Sequence, residues 1–274
     1  MALTKVLITV KTYPTISTKY EELVCTAGFL EDGSWIRIYP VQFRQKSYGE
    51  QYSKYQWIEM DLVKNTEDFR PESFRPYSHE TEIKILDSIK PDGGSWVDRR
   101  KFVLNKVYTS LSTLISEAKD RNILTSLAVF KPTEIIDVKV EAVDRDWNKE
   151  KLQALNQMKI FETVDAGKPR VVKKLPYEFS YVFKDDNGTQ SKLMIEDWEL
   201  GQLYWNCLKI YHDEKIAIEK VRYKYLDDFA KTKDLHLFLG TAKTFHLRSP
   251  NPFLVIGTFH PKFTKIDPQL SLFE

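Results

Sequence analysis

Cysteine, histidine and net charge are all in short supply in this chain, and each shortage removes a class of function. Two cysteines, Cys25 and Cys207, lie far apart among apolar residues in 274 positions. They match neither zinc nor C-x-x-C spacing, so they read as buried free thiols of a cytoplasmic protein. The five histidines, at 79, 212, 236, 246 and 260, are scattered, and they hold a metal only if the fold gathers them. Lys and Arg total 41 against 39 Asp and Glu, a net charge of +2, so any basic surface must be local. There is no G-x-G-x-x-G, G-x-x-x-x-G-K-S/T, H-E-x-x-H or G-x-S-x-G, which argues against dinucleotide binding, P-loop energy use, zinc hydrolysis and serine hydrolysis. Long apolar runs are missing too. Leu3 to Val10 is short and interrupted by Lys5, which suits a first strand better than a signal peptide or membrane span.

Aromatic residues are plentiful by contrast, with 16 Phe, 14 Tyr and 6 Trp, enough to fill a core and leave rings for a surface or site. Val6–Val10, Val24–Phe29, Trp35–Tyr39 and Trp57–Val63 are short apolar or alternating runs, with a hairpin turn expected at Asp32-Gly33. They predict a curved antiparallel sheet or small barrel. Ser95 to Asp98 reads as a capping box, and Leu104, Val107, Tyr108, Leu111, Leu114, Ile115 and Ala118 predict one helix covering that sheet. The charged stretch 141–176, with Gly167, Pro169 and Pro176, predicts a crossing segment between a first domain over 1–140 and an α+β region over 177–262. In that region Asp186-Asn187-Gly188 signals a hairpin. Two helical stripes follow, Tyr204, Cys207, Leu208 and Tyr211, then Ile218, Val221, Tyr225 and Phe229, before closing strands at 235–239 and 253–259. The class is α+β, with a mixed α/β C-terminal half.

Candidate chemistry gathers in several places. Between the first two strands lie Lys11, Tyr13, Lys19, Tyr20, Glu21 and Glu22. Lys11 and Lys19 suit phosphates, Tyr13 or Tyr20 suits stacking or the reaction itself, and Glu21 or Glu22 suits a general base or an anion beside a cationic transition state. A solvated loop is the alternative. Alternation puts Trp35, Arg37 and Tyr39 on one strand face, followed by Arg44, either as a groove tracking a nucleic-acid backbone or as the rim of a core. The stretch Phe69 to Pro76, F-R-P-E-S-F-R-P, holds Arg70, Glu72 and Arg75 in a stiff loop, for phosphate and acid chemistry or as a structural Arg-Glu pair. Arg99, Arg100, Lys243 and His246 complete the candidate nucleic-acid contacts, with solvated faces and an ordinary turn as alternatives. A carboxylate triad of Glu59, Asp61 and Asp87 is the candidate of a metal-dependent nuclease.

The last residues, D-P-Q-L-S-L-F-E, contain Gln269, Leu270, Ser271, Leu272 and Phe273, which resemble the short motif by which bacterial proteins dock on the replicative sliding clamp. A polar start and an apolar Leu-Phe pair on a tail over 263–274 suit a docking peptide. The motifs K-T-Y-P, K-Y-E-E-L-V-C-T-A-G, G-S-W-I-R-I-Y-P and R-P-E-S-F-R-P, with later F-L-G-T and F-H, resemble a family of uncharacterised proteins from bacterial defence islands. Through it the chain is similar to antiphage DNA glycosylases that excise glucosylated hydroxymethylcytosine from phage genomes. The resemblance implies a hydrolase of base excision, acting on phage DNA in the cytoplasm and brought to it by the clamp. Such an enzyme needs no metal or nucleotide cofactor, only stacking rings, phosphate grips and a carboxylate, for which Glu22 leads and Glu21 and Glu72 follow. A nuclease, a modified-DNA reader and an ADP-ribosyltransferase acting on DNA are the rival expectations.

Removing the residues after Lys265 tests the tail directly: immobilised sliding clamp should retain the full chain and lose the shortened one, by at least about tenfold in affinity. Equal retention of both removes the docking motif from the account.

Overall fold

The computed structural model describes residues 2–17, 21–78, 80–150, 152–153 and 171–263. Its N-terminal half is a strongly curved sheet. Strands β1 (Ala2–Lys11), β3 (Glu21–Phe29), β4 (Trp35–Val41), β5 (Gln56–Lys64) and β6 (Ser73–Pro76) follow the order β1-β3-β4-β6-β5, and a further β1–β5 pairing closes the ring. Short β2 (Thr15–Ser17) adds to β3, and β7 (Lys84–Ser88) adds to β5. The ring is tight where β1 crosses β3: a Cβ on Gly28 would stand 2.0 Å from the Leu7 carbonyl oxygen, so only glycine fits. Its interior is filled by Val6, Ile8, Val24, Ile36, Ile38, Ile58, Met60 and Leu62.

The second half carries two sheets. Strands β8 (Val107–Tyr108), β9 (Leu127–Phe130), β13 (His236–Thr241) and β14 (Phe253–Phe259) form one; β10 (Glu134–Ala142), β11 (Tyr177–Lys184) and β12 (Gln190–Met194) form the other. Four α-helices accompany them among the described residues: α1 (Val97–Val103), α2 (Leu111–Lys119), α3 (Trp198–Tyr211) and α4 (Glu214–Arg222), the last running on into a wider π turn at Tyr223–Ala230. None of the described helices is long and apolar enough to cross a membrane.

The four-stranded sheet is apolar on both faces because both are covered. Ala128, Phe130, Leu237, Leu239 and Val255 face the large core shared with α2, α3 and α4. Their alternating neighbours Leu127, Val129, Phe238 and Ile256 face the barrel through Val10, Ala27, Phe29 and Tyr55. The barrel is therefore roofed by a sheet, not by a single helix. The predicted helix over 95–118 is broken in two, since Val107 and Tyr108 pair with Val129 and Phe130, and Ser110 caps α2 by accepting the Thr113 amide. A sheet partner outcompetes the helical spacing there. The segment 141–176 does not divide the chain into separate bodies either: β10 before it pairs along its length with β11 after it. The chain passes from barrel to C-terminal sheets near residue 106.

Phe130→Ala, removing a fully buried ring that packs on Phe183 in the large core, should cost about 3–5 kcal/mol in denaturant unfolding. A loss under about 1 kcal/mol would mean that this face repacks freely.

Candidate functional site

Strand β1 leads directly into the site. Thr12 bridges to Asp197, and the Tyr13 amide donates to the Glu196 carbonyl at 3.0 Å, so the chain leaving the barrel is pinned to the start of α3. The Tyr13 ring lies over Gly201 of that helix, where a Cβ would stand 2.2 Å from a ring carbon. Its hydroxyl accepts from Trp205 Nε1 and donates to the Lys173 carbonyl, both at 2.8 Å. Burial pushes this phenol upward. Nearby, Glu22 of β3 points its Oε2 at two donors: Arg44 Nη1 at 2.5 Å and the Val172 amide at 3.1 Å. Three candidates from separate stretches, Tyr13, Glu22 and Arg44, thus converge at one end of the barrel. Glu21 lies in β3 with its side chain outside the described residues, as are Lys19, Tyr20 and the whole of 269–273.

Lys11 is not a phosphate grip. Its ammonium sits 4.4 Å from the Phe43 ring centre and 5.3 Å from that of Trp198, and donates to the Tyr52 carbonyl at 3.1 Å. Burial, and then the neighbouring Lys54 charge, push it down to about 8. Lys54 binds Asp197 at 2.9 Å and Glu199 at 3.0 Å; burial alone would lower it, and the two carboxylates outweigh burial and raise it.

Other expected contacts are likewise tied to partners within the protein. Arg37 is 2% exposed and gives its guanidinium to Ser126, through Oγ at 2.6 Å and the carbonyl at 3.1 Å. Arg70 forks onto Asp68, with Nε to Oδ1 at 2.9 Å and Nη2 to Oδ2 at 2.5 Å, and its Nη1 donates to the Thr241 carbonyl. Glu72 accepts from the Ser126 hydroxyl and lies 3.9 Å from Arg37. Arg99 stacks on Tyr55 and Trp96, and Arg100 binds Asp234 at 2.8 Å. His246 is fully buried with Nδ1 2.7 Å from Thr241 Oγ1, and burial holds it below the ordinary histidine range. Trp35 packs on Phe29 and Phe238. Of these, Arg37, Arg70, Glu72, Arg100 and Trp35 span the junction of barrel and sheet, where the buried cations Arg37 and Arg70 need fixed partners. Among the described residues no three His, Cys, Asp or Glu come together as metal ligands, and Glu59 of the carboxylate triad is paired with Lys84 at 2.9 Å.

Tyr39, Arg75 and Lys243 do meet at a surface. They line a cleft of about 520 Å³ together with Gln42, Lys46, Glu67, Asp68 and Tyr77. Arg75 and Lys243 are exposed. The segment from Tyr39 to Lys46 therefore borders this cleft while sending Arg44 to Glu22. Lys46, Glu67, Asp68, Tyr77 and Trp205 went unmarked in the sequence, where only the turn chemistry of Asn65 to Asp68 offered a signal.

The Asp68–Arg70 fork carries a pH signature. Burial alone would raise this carboxyl, but the Arg70 hydrogen bonds and charge outweigh it and hold Asp68 down to about 2. Because the folded group titrates below the unfolded one, its contribution is complete above about pH 4 and fades as the pH falls towards the folded value. Asp68→Asn should flatten the acid limb of a stability–pH curve and cost about 3 kcal/mol at neutral pH. An unchanged acid limb would assign the fork no such role.

Two family descriptions match the chain. Residues 2–105 match Domain of unknown function (DUF8758), and residues 107–274 match Domain of unknown function (DUF8757), the two meeting where barrel gives way to C-terminal sheets. No curated protein matches. The second match spans more than half of the sequence, and the chain belongs to the family described as Domain of unknown function (DUF8757).

Proposed function

We propose that this protein is a DNA glycosylase that removes modified bases from phage DNA as an antiviral defence and is recruited by its tail to the bacterial sliding clamp. The observation that carries the reading is the convergence of Tyr13, Glu22 and Arg44 beside a cleft bearing Tyr39, Lys46, Arg75 and Lys243. In this reading the cations hold phosphates and the tyrosines stack on bases. Glu22, oriented by Arg44 and the Val172 amide, takes a proton from water as its oxygen bonds to the anomeric carbon. The electrons of the broken C–N bond leave with the base, which then takes up a proton, and the carboxylate steadies positive charge on the sugar meanwhile. Clamp docking raises the local concentration at replicating DNA, which suits a chain with a net charge of only +2.

Incubation of the full chain with ordinary DNA and with DNA containing glucosylated hydroxymethylcytosine should release free base and leave abasic sites in the modified DNA, with or without EDTA. Glu22→Gln should lower release by about a hundredfold or more while thermal unfolding and DNA retention change little. Full release by that variant removes Glu22 from the mechanism. Nicks without free base, abolished by EDTA, would select the nuclease instead, and binding with neither product a modified-DNA reader.

A further inference from the structure

A second cavity, of about 460 Å³, lies across the 69–76 loop from the cleft, at the seam between barrel and sheet. Alternation along the loop makes the division: Arg75 lines the cleft, whereas Glu72 and Phe74 line the cavity. Its walls include three rings, Trp35, Phe74 and Tyr108, drawn from β4, β6 and β8. The Tyr108 ring is held in place by its hydroxyl, which donates to Glu117. At the polar end Glu72 Oε1 takes the hydroxyl of Ser126, itself fully buried and tied to Arg37. Glu72 Oε2 has no hydrogen-bond partner among the described residues. Lys106 also lines the cavity; its side chain is 71% exposed, with the ammonium 4.6 Å from the Tyr108 ring centre and 3.7 Å from Glu117 Oε2, a solvent-screened pair that leaves its outer face open to an anion.

Rings on several sides select a planar ligand, a fixed carboxylate oxygen with an open lone pair selects an N–H donor on that plane, and a solvent-facing ammonium selects an anion joined to it. We infer that this cavity binds a nucleotide whose base carries an amino group, with the ring between the aromatic walls, the amine on Glu72 and the phosphate at Lys106. Carboxylate recognition of an exocyclic amine distinguishes adenine, cytosine and guanine from thymine, which carries no amino group. The size admits a whole nucleoside. The same chemistry is offered by a free mononucleotide and by a base splayed from a single strand.

Calorimetric titration of the full chain with deoxycytidine, dCMP, dGMP, dTMP and a hexamer of deoxycytidylate reads both the site and the source. Wild type should bind dCMP or dGMP at least about tenfold more tightly than dTMP. Glu72→Gln keeps the acceptor for Ser126 but presents an amide donor to the cavity, so the preference should collapse or reverse. Lys106→Ala, at an exposed position that leaves the fold intact, should weaken the monophosphate by about threefold and spare the nucleoside. A hexamer bound more tightly than dCMP identifies a strand as the source; equal or weaker binding identifies the free nucleotide. Absence of heat with dCMP and dGMP at millimolar concentration, or identical affinities in both variants, overturns the site. Binding is measured without catalysis, so failure here and failure of base release are separate results.

Discussion

Two arginines removed from water hold the molecule together across its seam. Arg70, forked onto Asp68, reaches the Thr241 carbonyl at the end of β13; Arg37, rising from β4, takes both polar atoms of Ser126 at the head of β9. The backbone fixes each side separately: within the sheet the Thr241 amide donates to the Ser126 carbonyl, and within the barrel the Arg37 amide donates to the Glu72 carbonyl. Barrel and sheet are thus registered by directed bonds as well as by the apolar contact of Phe29, Trp35 and Phe238. Apolar burial alone is tolerant of sliding; a buried fork is not, because any shift strands a charge without a partner at a cost of several kcal/mol.

That constraint places the chemistry. With Arg37 and Arg70 anchored, the 69–76 loop becomes a stiff partition that turns Arg75 to the cleft and Glu72 with Phe74 to the aromatic cavity. A second buried cluster does the same work at the other end. Lys54 joins Asp197 and Glu199 at the start of α3, beside the bridge from Thr12, so that Tyr13 is laid across Gly201 within reach of Trp205. Buried Glu22 and half-buried Arg44 pair near Tyr13 at the same end of the barrel.

Local pattern carried much of the fold. Alternating runs at 24–29, 35–39 and 57–63 became β3, β4 and β5 with ends shifted by at most three residues, and Asp32-Gly33 and Asp186-Asn187-Gly188 turned as their positive-φ glycines require. The helix over 95–118 failed because Val107 and Tyr108 satisfy a helical stripe and a strand edge equally well, and the partner strand β9 lies some twenty residues further on. At 141–176 composition reports a charged crossing segment, not that the strands on either side of it pair. In the site, Tyr13, Glu22 and Arg44 were legible one by one as reactive residue types near strand ends. For Arg37, Arg70 and His246 the sequence left nucleic-acid contact and a structural role both open, since a cation in a sequence looks the same whether it meets a phosphate or an internal carboxylate, and their burial fits the structural alternative.

By itself, then, the order of residues determined the period of each strand, the positions of the hairpin turns, the α+β class and the kinds of chemistry available, all of which depend on near neighbours along the chain. Tertiary structure decided which cations are consumed in the seam and which stay at the surface, that a sheet and not a helix roofs the barrel, and that Tyr13, Glu22 and Arg44 share one place. Those outcomes rest on contacts between residues far apart in sequence, where desolvation and partner geometry, invisible to any local window, set the energy.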